Sequence, residues 1–142
     1  MPTFPSVEWL TDVAQLAMHD DRYHRFGRVD ATVGLMVGDR VFRLTFDVFD
    51  IRDIREISEA ELRDLDFYLE MEPERWQTML RGIREQGKAE RDLTLNALDL
   101  TLADGLHKNA LDDGYRADKF FRFNENLQRF FDLSAQVETV LA

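Results

Sequence analysis

The stretch Ala31-Thr32-Val33-Gly34-Leu35-Met36-Val37-Gly38-Asp39-Arg40-Val41-Phe42-Arg43-Leu44-Thr45-Phe46-Asp47-Val48-Phe49 sets the fold class. Val33, Leu35 and Val37 alternate with Thr32, Gly34 and Met36. After Gly38-Asp39, Phe42, Leu44, Phe46 and Val48 alternate with Val41, Arg43, Thr45 and Asp47. A period of two is the period of a strand, and a Gly-led pair between two such runs is a hairpin turn. Strands are expected over Ala31–Val37 and Arg40–Phe49. The second has one strongly apolar face and one mixed face, so one side of the sheet must be covered.

Working outward, the pattern changes to helical spacing. Ser6 is a candidate N-cap for a helix over Val7–Met18, with Val7, Leu10, Val13, Ala14 and Ala17 at the right intervals. Residues 19–27 read as a solvated end and a short connector. Asp50–Asp64 is dense in charge and reads as a solvated connection, with Ile51, Ile54 and Ile57 three apart and a capping box at Ser58 and Glu61. A third strand is expected over Asp66–Met71. A helix then opens at Glu72-Pro73-Glu74, buries Trp76, Met79, Leu80 and Ile83, and stops at Gly87. Leu93–Leu102 is ambiguous: it alternates, which reads as strand with a bulge at Asn96-Ala97, while its Leu-rich composition without β-branching also suits a helix, and strand is preferred. Asp104-Gly105 and Asp112-Asp113-Gly114 mark turns. From Asp118 a long helix is expected, with the stripe Phe120, Phe123, Leu127, Phe130, Val137 and Leu141, widened by Phe121 and Phe131. The fold class is therefore α+β: one domain over residues 1–142, with an antiparallel-rich mixed sheet of about five strands covered by helices.

Composition narrows the function classes. The chain has 142 residues, 44% of them apolar, which suits one domain with a sizeable core. Its formal net charge of −10 repels phosphate backbones, so nucleic acid is not an expected partner. Without cysteine there is no disulfide, thiol nucleophile or thiolate metal site. The start, Met1-Pro2-Thr3-Phe4-Pro5-Ser6, has no signal-peptide pattern, and no run approaches the roughly 18 apolar residues of a membrane span. A bacterial cytoplasmic protein is the expectation.

The segment Asp66-Phe67-Tyr68-Leu69-Glu70-Met71-Glu72-Pro73-Glu74-Arg75-Trp76-Gln77-Thr78-Met79-Leu80-Arg81-Gly82 carries a strand ending in an acid, then a helix with Trp76 in its first turns, followed by Leu80 and Gly82. With a capped helix bearing Trp9 and a hairpin upstream, it resembles the sterol carrier protein 2 (SCP2-like) domain family. There a strand leads into a helix of the type acidic–x–x–Trp–x–x–Leu–x–x–Gly. The match is inexact, since Glu74 lies two before Trp76. Leu93–Leu102 also lacks the glycine of the family's next strand, the charged connection is long, and the terminal helix is longer and richer in Phe. The resemblance implies a five-stranded sheet, covered by helices, that encloses a tunnel for lipids or other apolar molecules.

Chemistry-bearing constellations are sparse. No GxGxxG, Walker loop, HExxH or Gly-x-Ser-x-Gly is present. Asp47, Asp66 and Tyr68 would suit an isomerase with an apolar cup, but Asp66 and Tyr68 share the strand face opposite Phe67 and Leu69. His19 and His24, five apart, do not share a helix face, and His107 reads as a lone solvated residue in a turn. No catalytic residue, metal ligand or cofactor is expected. Instead, Phe120-Phe121-Arg122-Phe123-Asn124-Glu125-Asn126-Leu127-Gln128-Arg129-Phe130-Phe131 concentrates aromatic surface that water cannot be left to cover. Core, ligand cavity and dimer seam each account for it, and any inward amide among these residues must be hydrogen-bonded. The expected function is non-catalytic binding or carriage of a small apolar ligand (lipid, fatty acyl or sterol-like) in an internal hydrophobic cavity. The expected lining is Phe46, Val48, Trp76, Met79, Leu80, Phe120, Phe123, Leu127 and Phe130. The alternatives are a homodimeric interaction module joined through the Phe-rich helix, and a small isomerase.

Overall fold

The computed structural model describes residues 1–141, one residue short of the expected domain span. The hairpin forms as its period requires. Strands β2 (Val29–Val37) and β3 (Arg40–Val48) pair antiparallel, with Val33 opposite Leu44 and Leu35 opposite Phe42. Short pieces precede them: β1 (Thr3–Phe4), α1 (Val7–Met18) and α2 (Asp21–Arg25). Ser6 caps α1 by accepting the Trp9 N–H at 3.0 Å, and Asp20 caps α2 through the Tyr23 N–H at 2.8 Å.

The charged segment expected to be a connection is a strand. β4 (Asp50–Ile57) pairs antiparallel with β3 along the sheet edge. The spacing of three between its isoleucines hid the period of two. A bulge lies opposite Leu44, where pairing jumps from Arg43–Arg55 to Thr45–Arg52, and Asp53 takes φ +52°. Ile51 pairs with Phe46 on the core face, and Ile57 with Val41 on the other. A 3₁₀ turn over Glu59–Asp64 follows, closed by the Ser58–Glu61 capping box. The chain then crosses to β5 (Phe67–Met71), which lies parallel to β2, with Val33 opposite Phe67 and Leu35 opposite Leu69.

Helix α3 (Pro73–Gln86) starts on proline and ends at Gly87, whose φ of +79° completes the cap. Leu93–Leu102 is not a strand. It forms a 3₁₀ turn (Arg91–Leu93) and α4 (Leu95–Thr101), capped by Thr94, which accepts the Ala97 N–H at 3.2 Å. Leu95 and Leu98 are buried at helical spacing while Leu100 is exposed, so the alternating leucines straddle a helix. The fifth strand lies elsewhere. β6 (His107–Lys108) pairs antiparallel with β5 through the segment read as turn, giving the order β4-β3-β2-β5-β6. After α5 (Gly114–Ala117), α6 (Lys119–Asp132) carries the aromatic stripe. It stops well before Val137. A 3₁₀ turn (Leu133–Gln136) leads instead to β7 (Val140–Leu141), which pairs parallel with β1, so Val137 and Leu141 belong to extended chain. The backbone of Thr3–Phe4 offers these last residues a ladder that a longer helix would leave unused.

The architecture is α+β: one mostly antiparallel five-stranded sheet with helices covering one face. Val33, Leu35, Val37, Phe42, Leu44, Phe46, Phe67, Leu69 and Met71 from the sheet join Trp9, Leu10, Val13, Trp76, Ile83, Phe120, Phe130 and Phe131 in one buried cluster. The other face is covered only locally. Met36, Val41 and Leu65 are buried outside that cluster. Leu65 is seated on Gly34, where an added Cβ would stand 2.5 Å from Leu65 Cδ1 and 2.8 Å from Tyr68 Cβ. No helix among the described residues is long and apolar enough to cross a membrane.

Two glycine substitutions should therefore differ in sign. Gly34→Ala should cost about 1–3 kcal/mol, because Tyr68 Cβ is fixed to its backbone and cannot give way. Gly82→Ala lies mid-helix, with its nearest neighbour, Glu90 Cγ, at an ordinary 3.5 Å. It should gain about 0.5–1 kcal/mol in urea unfolding.

Candidate functional site

The residues expected to line a ligand cavity do not converge on one. All except Val48 are buried. Phe46, Leu127 and Phe130, with Leu10, Val33, Leu35, Leu44, Leu69 and Phe131, enclose an apolar void of about 10 Å³. That is room for about one water, and nothing polar is there to hold it. Trp76 and Met79 are packed core. The Trp76 ring lies 5.6 Å from that of Phe131, and its Nε1–H donates to the Met36 carbonyl at 3.0 Å. Phe120 sits apart from them, edge-on to Phe67 at 5.9 Å. Phe123 lies under the Arg122 guanidinium, 5.2 Å from its carbon. Val48 is 39% exposed, with φ +60° where β3 turns into β4, so it faces solvent instead of the covered layer. The aromatic excess of α6 is absorbed by ordinary packing. Phe130 and Phe131 are buried, and Phe121, 55% exposed, is the aromatic the helix leaves outside.

Leu80 alone among those residues reaches a ligand-sized concavity. A cleft of about 260 Å³ lies between α3 and the final segment, walled by Leu80, Val137 and Leu141, with Ser134 and Thr139, and rimmed by Arg81 and Arg84. Its outer wall is held from the far end of the chain. Thr139 Oγ1 accepts the Trp9 Nε1–H at 2.8 Å and donates to the Val137 carbonyl at 3.0 Å. Val140 N donates to the Pro2 carbonyl at 2.9 Å. Arg84 Nη1 reaches the Thr139 carbonyl at 3.5 Å, and Arg81 Nη2 reaches Gln77 Oε1 at 3.5 Å. Among the described residues neither guanidinium forms an ion pair with a carboxylate. Leu80, Val137 and Leu141 were legible only as members of apolar stripes, the last two on a helix that stops short of them. Thr139 and the arginines carried no signal, because the cleft exists only once the last residues leave helix for strand.

The polar groups singled out by the sequence have structural duties. The Asp66 carboxylate accepts from Thr32 N at 2.8 Å, Arg116 Nε at 3.3 Å and Lys119 Nζ at 3.2 Å, which leaves it no role as a free base. Asp47 pairs with Arg52 at 2.8 Å. Tyr68 is half-buried, and burial, helped by Glu70, holds its phenol protonated above the usual range. His107 is not solvated. Its ring stacks on Phe120 at 4.6 Å, and Nδ1 is 2.8 Å from Asp99 Oδ1, which also accepts the Leu106 and His107 backbone N–H groups. His19 and His24 contact the Gln15 and Met18 carbonyls, and no metal-binding cluster occurs among the described residues. Of the amides on α6, Asn126 is buried and donates to the Tyr23 and Gly27 carbonyls. Gln128 accepts from Leu95 N at 2.7 Å and donates to Asp132 at 3.0 Å.

Comparison with protein-family models, with curated proteins and with solved structures gave no match.

Two carboxyls on the helical side should respond to pH with opposite sign. The Arg129 guanidinium hydrogen-bonded to Asp20 holds that carboxyl below its ordinary 3.8, outweighing burial. Its stabilisation is full above the ordinary value and lost as pH falls through the lowered one. Burial pushes Asp132 up from 3.8, against the pull of Gln128 and Ala89 N–H. It favours the fold below 3.8 and loses that contribution as pH rises through the raised value. At pH 7, Asp20→Asn should lower the urea midpoint and Asp132→Asn should raise it, and the Asp20→Asn difference should shrink in acid. The Tyr23 hydroxyl is buried without a hydrogen-bond partner among the described residues. Tyr23→Phe should thus raise stability, by about 1 kcal/mol, in the same assay.

Proposed function

We propose that the protein binds a small apolar molecule, as a carrier and not a catalyst, in the cleft between α3 and the final segment. One observation carries the reading. The 260 Å³ cleft walled by Leu80, Val137 and Leu141 combines apolar surface with room for a guest. It lies just under the roughly 300–1,000 Å³ typical of ligand sites, whereas the interior void admits no organic molecule. The resemblance of Asp66–Gly82 to SCP2-like domains supports the same reading, since that family's layout is a five-stranded sheet covered by helices. Membership of that family is part of the proposal, and so is a cytoplasmic setting, in keeping with a chain that has no cysteine.

Isothermal titration with 1-octanol tests the reading. One saturable site is expected, weakened about tenfold, or about 1.4 kcal/mol, when Val137→Asp places a charge on the apolar wall. Val137 is half-buried, so the variant remains folded, which circular dichroism checks. No saturable binding, or binding indifferent to Val137→Asp, overturns the proposal.

A further inference from the structure

We infer that the molecule taken by this cleft ends in an oxyanion, a carboxylate or a phosphate, held by Arg81 and Arg84; the inference rests on the cleft reading above. The two arginines stand three residues apart on α3, so their side chains lie on neighbouring positions of one helix face beside Leu80. Both are exposed at the rim, and among the described residues each makes one long contact, at 3.5 Å, to a neutral oxygen. Their forked donors are therefore available, and guanidinium matches the planar or tetrahedral oxygens of carboxylate and phosphate better than any other side chain.

Net charge sharpens the point. At −10 overall, the chain repels anions at long range, so an anion is held only by cations at short range. The apolar wall and the paired arginines adjoin, which matches a molecule with one greasy end and one charged end. A volume of 260 Å³ suits a short acyl or alkyl chain and not a bulky multi-ring lipid. The ligand class is thus a short anionic amphiphile.

Titrations with octanoate, octyl phosphate and 1-octanol, which share a chain length and differ in head group, test this. At least one anion should bind about tenfold tighter than the alcohol. The stronger of the two identifies the head group as carboxylate or phosphate. Raising salt from about 50 to about 500 mM should erode that preference and leave the alcohol unaffected. The Arg81→Gln, Arg84→Gln variant should abolish the preference, so that in that variant the anions bind no tighter than 1-octanol, and the Arg81→Lys, Arg84→Lys variant should keep part of it. Equal binding of alcohol and anions by the unaltered protein refutes the inference and leaves the apolar cleft standing. So does an anion preference that survives in the glutamine variant. Failure of all three probes to bind removes the cleft reading, and this inference with it.

Discussion

The carboxylate of Asp66 joins the two halves of this chain. Three strands of antiparallel meander need only short turns, but the fourth must return beside the first in parallel, which requires a long crossing. Asp66 marks where that crossing lands. Its backbone N–H donates to the Thr32 carbonyl at 2.9 Å while its side chain accepts the Thr32 N–H, so β2 and the start of β5 are held by a reciprocal pair. Arg116 and Lys119 reach the same carboxylate from α5 and α6, and Asn109 Nδ2 donates to its carbonyl. A half-buried carboxylate with several donors holds its position only while those donors remain in place. Sheet register, the β6 edge and the entry angle of the aromatic helix therefore depend on one another at this residue.

Much of this was legible in residue order, for definite reasons. The β2–β3 hairpin has an uninterrupted period of two and a Gly-led turn. Helices α1 and α3 carry their own caps in Ser6, Pro73 and Gly87. The missed strands share a cause, which is that pairing partners far along the chain decided the outcome, whereas the missed helix α4 turned on a local cap. β4 looks like a solvated tether because its bulge breaks the period and its outward charges suit an open edge. β6 is two residues long and exists only because β5 lies beside it. Leu93–Leu102 alternates in sequence, yet Thr94 caps it as a helix. The candidate site was the least legible part. All but Phe121 of the phenylalanines that drew attention became core, and of the residues expected to line a cavity Leu80 alone reaches the cleft.

The sheet's open flank is managed by charge and shape. β4 presents Arg52, Asp53, Arg55 and Glu56, with ion pairs from Arg40 to Glu56 at 3.0 Å and from Arg52 to Asp47 at 2.8 Å. Pairs this exposed contribute little to stability. Their value, with the kink at Asp53, is that another strand cannot dock flat against the edge. The helical side is tied more firmly. Arg129 meets Asp20 through two contacts of 2.8 Å, and Asn126 holds the carbonyls of Tyr23 in α2 and of Gly27 just beyond it.

The parallel pairing of β1 with β7 has a thermodynamic corollary. One wall of the cleft is built from residues 137–141, and those residues are pinned by Pro2, Thr3, Phe4 and Trp9. Under the proposed function, an occupant and the zipped β1–β7 pair would favour each other, by the same free energy in both directions. Whatever peels away residues 2–4 would then loosen a bound molecule, and a bound molecule would resist their fraying.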